Sequence, residues 1–138
     1  WFMTEKPNQV LSQVKLAPTG VDEQVGILLS NDAGEMATIA LTLHAKQPKR
    51  GTIAYDKGYI ELYEYPRGQK AVITYTEDGS QEVIEAGETA KALSYEVADM
   101  EKAVAGIENT MHLGYTQDVM DIMTQLRKEW GLVYPEEV

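Results

Sequence analysis

Ser12, Ser30, Ser80 and Ser94 are the serine hydroxyls, and His44 and His112 the imidazoles, from which a hydrolytic triad would have to be built. No serine occupies a Gly-x-Ser-x-Gly elbow and neither histidine belongs to a His-Glu-x-x-His pair, so neither a triad nor a zinc site is supported. His44 closes an apolar strand segment and His112 lies between two helical segments, positions that suit structural or surface roles. The absence of cysteine removes thiol nucleophiles, Cys-ligated zinc and iron–sulfur clusters. Phosphate-cradling loops are missing too: no two glycines are separated by a single residue, which excludes Gly-x-Gly-x-x-Gly, and no Gly-Lys-Ser/Thr occurs. Glu96, Asp99, Glu101 and Glu108 have the spacing of a solvated helix face, and no Asp-rich loop has the spacing of a calcium site. No residue is therefore assigned a catalytic, cofactor-binding or metal-binding role.

The elements that would have to position any site change character along the chain. Up to about Glu85 the apolar residues fall in short strand-like segments: Val10–Leu16, Val25–Ser30, Met36–His44, Thr52–Tyr55, Tyr59–Glu64, Lys70–Thr76 and Gln81–Glu85. Turn signals separate them, among them Pro18-Thr19-Gly20, Asn31-Asp32-Ala33-Gly34 and Asp56-Lys57-Gly58, and such short connections imply antiparallel neighbours. Gly58 is expected to supply a positive φ to its turn. Beyond Gly87, Leu93, Val97, Met100, Val104 and Ile107 form one helical stripe, and Val119, Met123, Leu126 and Trp130 form a second. Thr116 is expected to cap the second helix and Gly131 to stop it. The pattern predicts an α+β fold: an open, mostly antiparallel (mixed) sheet of about six to seven strands with two C-terminal helices packed on one face.

The segment Met36–His44 bears on assembly. Ala37, Ile39, Leu41 and Leu43 alternate onto the face expected to meet the helices, leaving Met36, Thr38, Ala40, Thr42 and His44 on the other. Neither face carries a formal charge, so the second is a candidate homodimer face, with Val10, Val14, Leu16, Tyr59, Tyr63 and Tyr65 as further contributors. A modestly apolar face that simply stays in solvent fits the same spacing. The tyrosine-rich run Tyr59–Tyr65 likewise suits a sheet surface or interface better than a ligand platform.

Composition bounds the rest. The 138 residues include 22 acids and 12 bases, a formal charge of −10, and suit one domain spanning 1–138 that needs neither disulfide nor metal to close its core. Charge is uneven: residues 1–81 hold 10 acids and 8 bases, residues 82–138 hold 12 and 4. With only Arg50, Arg67 and Arg127 as arginines there is no basic stripe, which disfavours nucleic acid and anionic membranes as partners. No apolar run reaches membrane-span length and no leader pattern is present, so a soluble, cytoplasmic protein is expected. Trp1-Phe2-Met3 reads as the end of an element that began earlier, in a longer protein.

From Thr19 onward the order of features resembles the C-terminal domain of the Gfo/Idh/MocA oxidoreductases, with the greatest likeness to the dihydrodiol and xylose dehydrogenase branch. Thr19-Gly20-Val21-Asp22-Glu23 leads into a strand, Asn31–Glu35 turns into Met36–Leu43, and Gly51–Leu62 resembles the family's strand–turn–strand, with Asp56 at a position usually Thr or Ser. Ser94-Tyr95-Glu96, the helix to Asn109, and Asp118–Gly131 followed by Leu132-Val133-Tyr134-Pro135 resemble its closing helices. The resemblance implies a two-domain enzyme that uses NAD or NADP on a sugar, polyol or related small hydroxyl compound. It also implies that the Rossmann domain and catalytic lysine lie outside this chain, which should bind no cofactor alone. Glu5-Lys6-Pro7 spells the family's catalytic-lysine motif but leads into a strand, where the family's motif precedes a helix, so Lys6 receives no catalytic role. The alternative is a non-catalytic module that assembles through its sheet face.

Overall fold

The computed structural model describes residues 3–107 and 110–134, so readings that touch Trp1, Phe2, Glu108, Asn109 and Pro135 fall outside the described residues. Seven strands occupy the seven expected segments: β1 (Gln9–Leu16), β2 (Asp22–Ser30), β3 (Met36–Thr42), β4 (Arg50–Tyr55), β5 (Gly58–Tyr63), β6 (Lys70–Tyr75) and β7 (Gln81–Glu85). Two helices follow, α1 (Ala92–Val104) and α2 (Leu113–Glu129). The fold is α+β and every strand pairing is antiparallel. The strands divide into two sheets, β1–β2–β3 and β4–β5–β6–β7. The expected single sheet is interrupted after β3, where Thr42 Oγ1 accepts the His44 and Ala45 N–H groups (3.1 and 3.4 Å) and Pro48 follows without a donor.

The chain forms two compact units. The first comprises the described residues up to Lys46 together with those from His112 onward. Its register places Val10, Ser12 and Val14 of β1 beside Leu29, Ile27 and Val25 of β2, and these beside Ala37, Ile39 and Leu41 of β3. Val25 and Leu29 on this face are buried, as are Leu126 of α2 and Leu132 just beyond it. Trp130 Nε1 donates to Ser12 Oγ at 2.9 Å, which fastens the end of α2 to this face. The expectation that Ala37, Ile39 and Leu41 share the helix-side face therefore holds, although Leu43 is 83% exposed beyond the strand.

Gly131 ends α2 as expected, with φ 66°. Its N–H donates to Lys128 O (3.1 Å), while that of Leu132 donates to Arg127 O (3.0 Å). This is the Schellman arrangement, which satisfies two terminal carbonyls and turns Leu132 inward. The other end differs from expectation. The helix begins at Leu113 rather than after Thr116, with His112 at φ 46° as the N-cap residue and stacked on Tyr115 (centroids 5.3 Å apart). His112 O accepts the Tyr115 N–H at 2.9 Å, which extends the helix by a turn that side-chain capping rules place outside it.

The second unit, Gln47–Met111, is a run of hairpins in chain order. Its buried polar group, Thr74, accepts a hydrogen bond from Gln81 Nε2 across β6–β7. In α1, Leu93, Val97, Met100 and Val104 are 50–81% exposed, so the stripe expected to pack on a sheet is open to solvent. Periodicity establishes that a helix has one apolar face; it does not specify what covers that face.

Gly58 is needed for a reason other than the expected one. It is not among the positive-φ glycines. Instead it pairs with both Tyr55 and Tyr75, and a Cβ there would meet the Thr74 backbone carbonyl oxygen at 2.3 Å. Gly58→Ala should force β5 and β6 apart and cost about 1–3 kcal/mol, the usual range for overpacking. A lowered urea midpoint with an unchanged slope would register this.

Candidate functional site

The face of the first sheet that turns away from Val25 and Leu29 is the candidate functional surface. Three cross-strand rows build it: Gln9, Ser30 and Met36; Leu11, Leu28 and Thr38; Gln13, Gly26 and Ala40. Lys15, Gln24 and Thr42 close it at one end. Leu11 and Met36 are 67% and 69% exposed, far more than a strand ordinarily leaves to water for side chains of this size. Met36, Thr38, Ala40 and Thr42 share the face as the alternation predicts. His44 does not, because β3 ends at Thr42 and the imidazole turns to Glu23.

The contributors suggested around this face need correction. Val10 and Val14 occupy the opposite, helix-side face, and the β1 residue at the centre of the open face is Leu11. Leu16 lies beyond a register shift at Lys15/Leu16. Tyr59, Tyr63 and Tyr65 belong to the second unit, where the Tyr63 hydroxyl donates to Glu61 Oε1. Parity within a strand is legible from sequence, whereas which parity faces outward needs the cross-strand register.

Three charge networks shape the first unit. Lys6 Nζ reaches Asp118 Oδ1 and Asp121 Oδ2, both at 2.9 Å, and thereby ties the segment before β1 to α2. Hydrogen bonding to Asp118 and then Asp121 pushes the Lys6 ammonium above its usual range, while Lys6 holds Asp121 below the usual carboxylate range. A lysine that exchanges protons near neutrality needs the opposite shift, so this geometry makes Lys6 a strut. Next, buried Asn31 donates to Glu35 Oε2 (2.7 Å) and Glu5 O (3.2 Å), and accepts the Glu35 N–H through Oδ1. With the Thr4 N–H also on Glu35 Oε2, the Glu35 carboxyl sits below its usual range. Finally, Glu23 lies between Lys15 (2.7 Å) and His44 (2.6 Å), and its hydrogen bond to Lys15 is the main reason its pKa is lowered. These carboxylates hold the fold together rather than sharing a proton in a cleft.

Among the described residues no group of three or more His, Cys, Asp or Glu side chains is arranged to hold a metal ion. Nor is any described helix long and apolar enough to cross a membrane. A recess lies beside the β4–β5 and β6–β7 turns, lined by Asp56, Lys57, Tyr75, Glu77, Asp78 and Ser80. The Tyr75 hydroxyl there donates to Glu82 Oε2, which pushes its pKa up and keeps it protonated.

No family model matches the chain. Two curated relatives do. The chain is 25% identical over 142 residues to the trans-1,2-dihydrobenzene-1,2-diol dehydrogenase of Xenopus laevis. It is 24% identical over 145 residues to that of Xenopus tropicalis. Each match takes in 97% of this chain but 43% of the relative, so the chain spans less than half the length of the curated relatives it matches. The likeness to dihydrodiol dehydrogenases drawn from the residues is thus found over nearly the whole chain.

Lys6 as a strut has a pH signature. Because Asp121 is held below the ordinary carboxylate value, its stabilisation is complete above that value and disappears as pH falls through the lowered one. Asp121→Asn should therefore be less stable than the wild type at neutral pH and lose less on acidification from about pH 5 to about pH 2. Thermal melts of both chains across that window check the sign.

Proposed function

We propose that this chain is the C-terminal, substrate-side and dimerisation domain of an NAD(P)-dependent oxidoreductase of the Gfo/Idh/MocA type, acting on a sugar, polyol or related hydroxyl compound. The observation that carries the reading is the pair of alignments to dihydrodiol dehydrogenases, which consume 97% of this chain and 43% of each relative. The ordered resemblance from Thr19 to Tyr134 points the same way.

Nicotinamide dinucleotides supply hydride transfer when bound, and the described residues do not fit such a cofactor. Their strand pairings are antiparallel, whereas a dinucleotide crevice needs parallel strands joined through a helix whose first turn is glycine-rich. Lys6, the lysine in the Glu-Lys-Pro sequence, is engaged by two aspartates. In this reading the cofactor and the proton-transferring lysine belong to the rest of the enzyme, and this chain supplies substrate-side residues and an assembly surface.

The assembly surface is the open face of β1–β2–β3. Three strands about 4.8 Å apart and some seven residues long project only about 350 Å², against the roughly 800 Å² per partner of a standard interface. The face therefore forms the centre of a homodimer contact whose margins come from elsewhere in the protein.

Isothermal titration of the 138-residue chain with NAD and with NADP should give no binding heat at micromolar affinity; micromolar binding would overturn the division of labour. For the assembly surface, Leu11→Lys together with Ala40→Lys sets two charges in a low-dielectric contact without touching the helix-side core. The pair should shift sedimenting mass from dimer to monomer, and a mass unaffected by both substitutions would remove the proposed face.

A further inference from the structure

We propose that Asn31 and Glu35 are positioning residues: they seat residues 4–8 as a strap and so fix the direction in which the polypeptide enters the first unit. The strap is neither helix nor strand, and lead-in segments of this kind are ordinarily loose unless tied down. This one is held along its length. The Thr4 N–H donates to Glu35 Oε2 at 2.9 Å, Glu5 O accepts from Asn31 Nδ2 at 3.2 Å, and Lys6 Nζ reaches Asp118 and Asp121. Pro7 is buried, and the Asn8 N–H donates to Ser30 O at 3.1 Å. Proline lowers the cost of this ordering, because it has no N–H to leave unpaired and it restricts Lys6 before it to extended backbone.

The socket is built by the β2–β3 turn itself. Asn31 is buried; its Oδ1 accepts the Glu35 N–H at 3.0 Å and its Nδ2 donates to Glu35 Oε2 at 2.7 Å. The backbone closes the same turn, with the Asn31 N–H on Glu35 O (3.2 Å) and the Gly34 N–H on Asn31 O (3.1 Å). A polar network satisfied in this way is rigid, so the acceptor for Thr4 and the donor for Glu5 stand in fixed places before the strap arrives. Asn31, Glu35 and Ser30 hold the strap from the sheet, and Asp118 and Asp121 hold it from α2. Restraints that arrive from two sides set direction as well as position. The consequence for a whole enzyme rests on the proposed domain reading: the polypeptide that leads into this domain is aimed by the socket.

The chain contains no cysteine, so spin labels attach only where cysteine is introduced. Met3→Cys and Thr19→Cys place labels at the mouth of the strap and in the turn beyond the eight-residue β1, which spans about 27 Å. Double electron–electron resonance on the labelled 138-residue chain, diluted with unlabelled chain, should give one narrow distance distribution. Glu35→Gln keeps an oxygen that accepts both donors and should stay narrow, whereas Glu35→Ala should broaden. Amide exchange reads the same bond without labels. The Thr4 amide should be protected roughly ten-fold over its intrinsic rate, about three-fold in Glu35→Gln, where charge assistance is lost, and not at all in Glu35→Ala, while the Ile27 amide inside β2 is unchanged. An unprotected Thr4 amide in the wild type, a distribution equally narrow in Glu35→Ala, or an equal loss of Ile27 protection in that variant would each overturn the proposal. Neither readout involves NAD, NADP or association, so failure here leaves the domain reading standing, and failure of that reading leaves the socket standing.

Discussion

The first unit closes on Leu126. Its side chain is 1% exposed, and the apolar groups withdrawn with it are Val25 and Leu29 of β2 and Leu132 just past the helix. Removing a leucine so enclosed typically costs about 2–5 kcal/mol, a large part of what a domain of this size can spare. The rest of the unit reads as a means of bringing Leu126 to that position. Gly131 turns the chain so that Leu132 folds inward. Trp130 anchors the helix end on Ser12, and Lys6 grips Asp118 and Asp121 nearer its start. The polar contacts fix orientation and the apolar ones supply most of the free energy, the division expected when exposed ion pairs are individually weak.

Once α2 covers one face of the β1–β2–β3 sheet, the pleat fixes the other. Ser12 turns toward Trp130, so its neighbours Leu11 and Gln13 must turn away. Register carries that parity across the sheet to Leu28 and Thr38, and to Gly26 and Ala40. The exposed apolar surface is therefore a geometric consequence of the core. A slip of one residue in β1 would exchange Leu11 for Val10 and destroy both faces together.

Strands and turns were legible in the sequence because alternation, Gly, Pro and Asn act locally: each of the seven segments reappears within a few residues of its expected limits. The Gly131 stop was legible for the same reason. What the sequence could not reveal depends on distant partners. Val10 and Val14 looked available for an interface until the pairing with Leu29 and Val25 assigned them to the covered side. Gly58 looked like a turn glycine, yet its constraint comes from the Thr74 carbonyl sixteen residues away. His44 was set on a strand face, and Glu23, twenty-one residues earlier, draws it aside. Lys6 matched a motif in spelling alone, and two carboxylates more than a hundred residues further on define its environment.

Net charge gives the open face its meaning. Two copies of a chain carrying −10 repel each other, and the repulsion is most severe where acids meet across a dry contact. Among the described residues, Lys6, Lys15, Arg50, Lys91 and Lys102 are paired with acids in the same chain, which reduces the bases able to neutralise a partner. Any self-contact therefore favours a patch without acids. Gln9, Leu11, Gln13, Gly26, Leu28, Ser30, Met36, Thr38, Ala40 and Thr42 supply one, with Lys15 at its border. An acidic protein with a neutral, partly apolar sheet face at the back of its core is well suited to associate there and to remain dispersed elsewhere. The proposed dimer follows from that contrast more than from apolar area, which in three strands is modest.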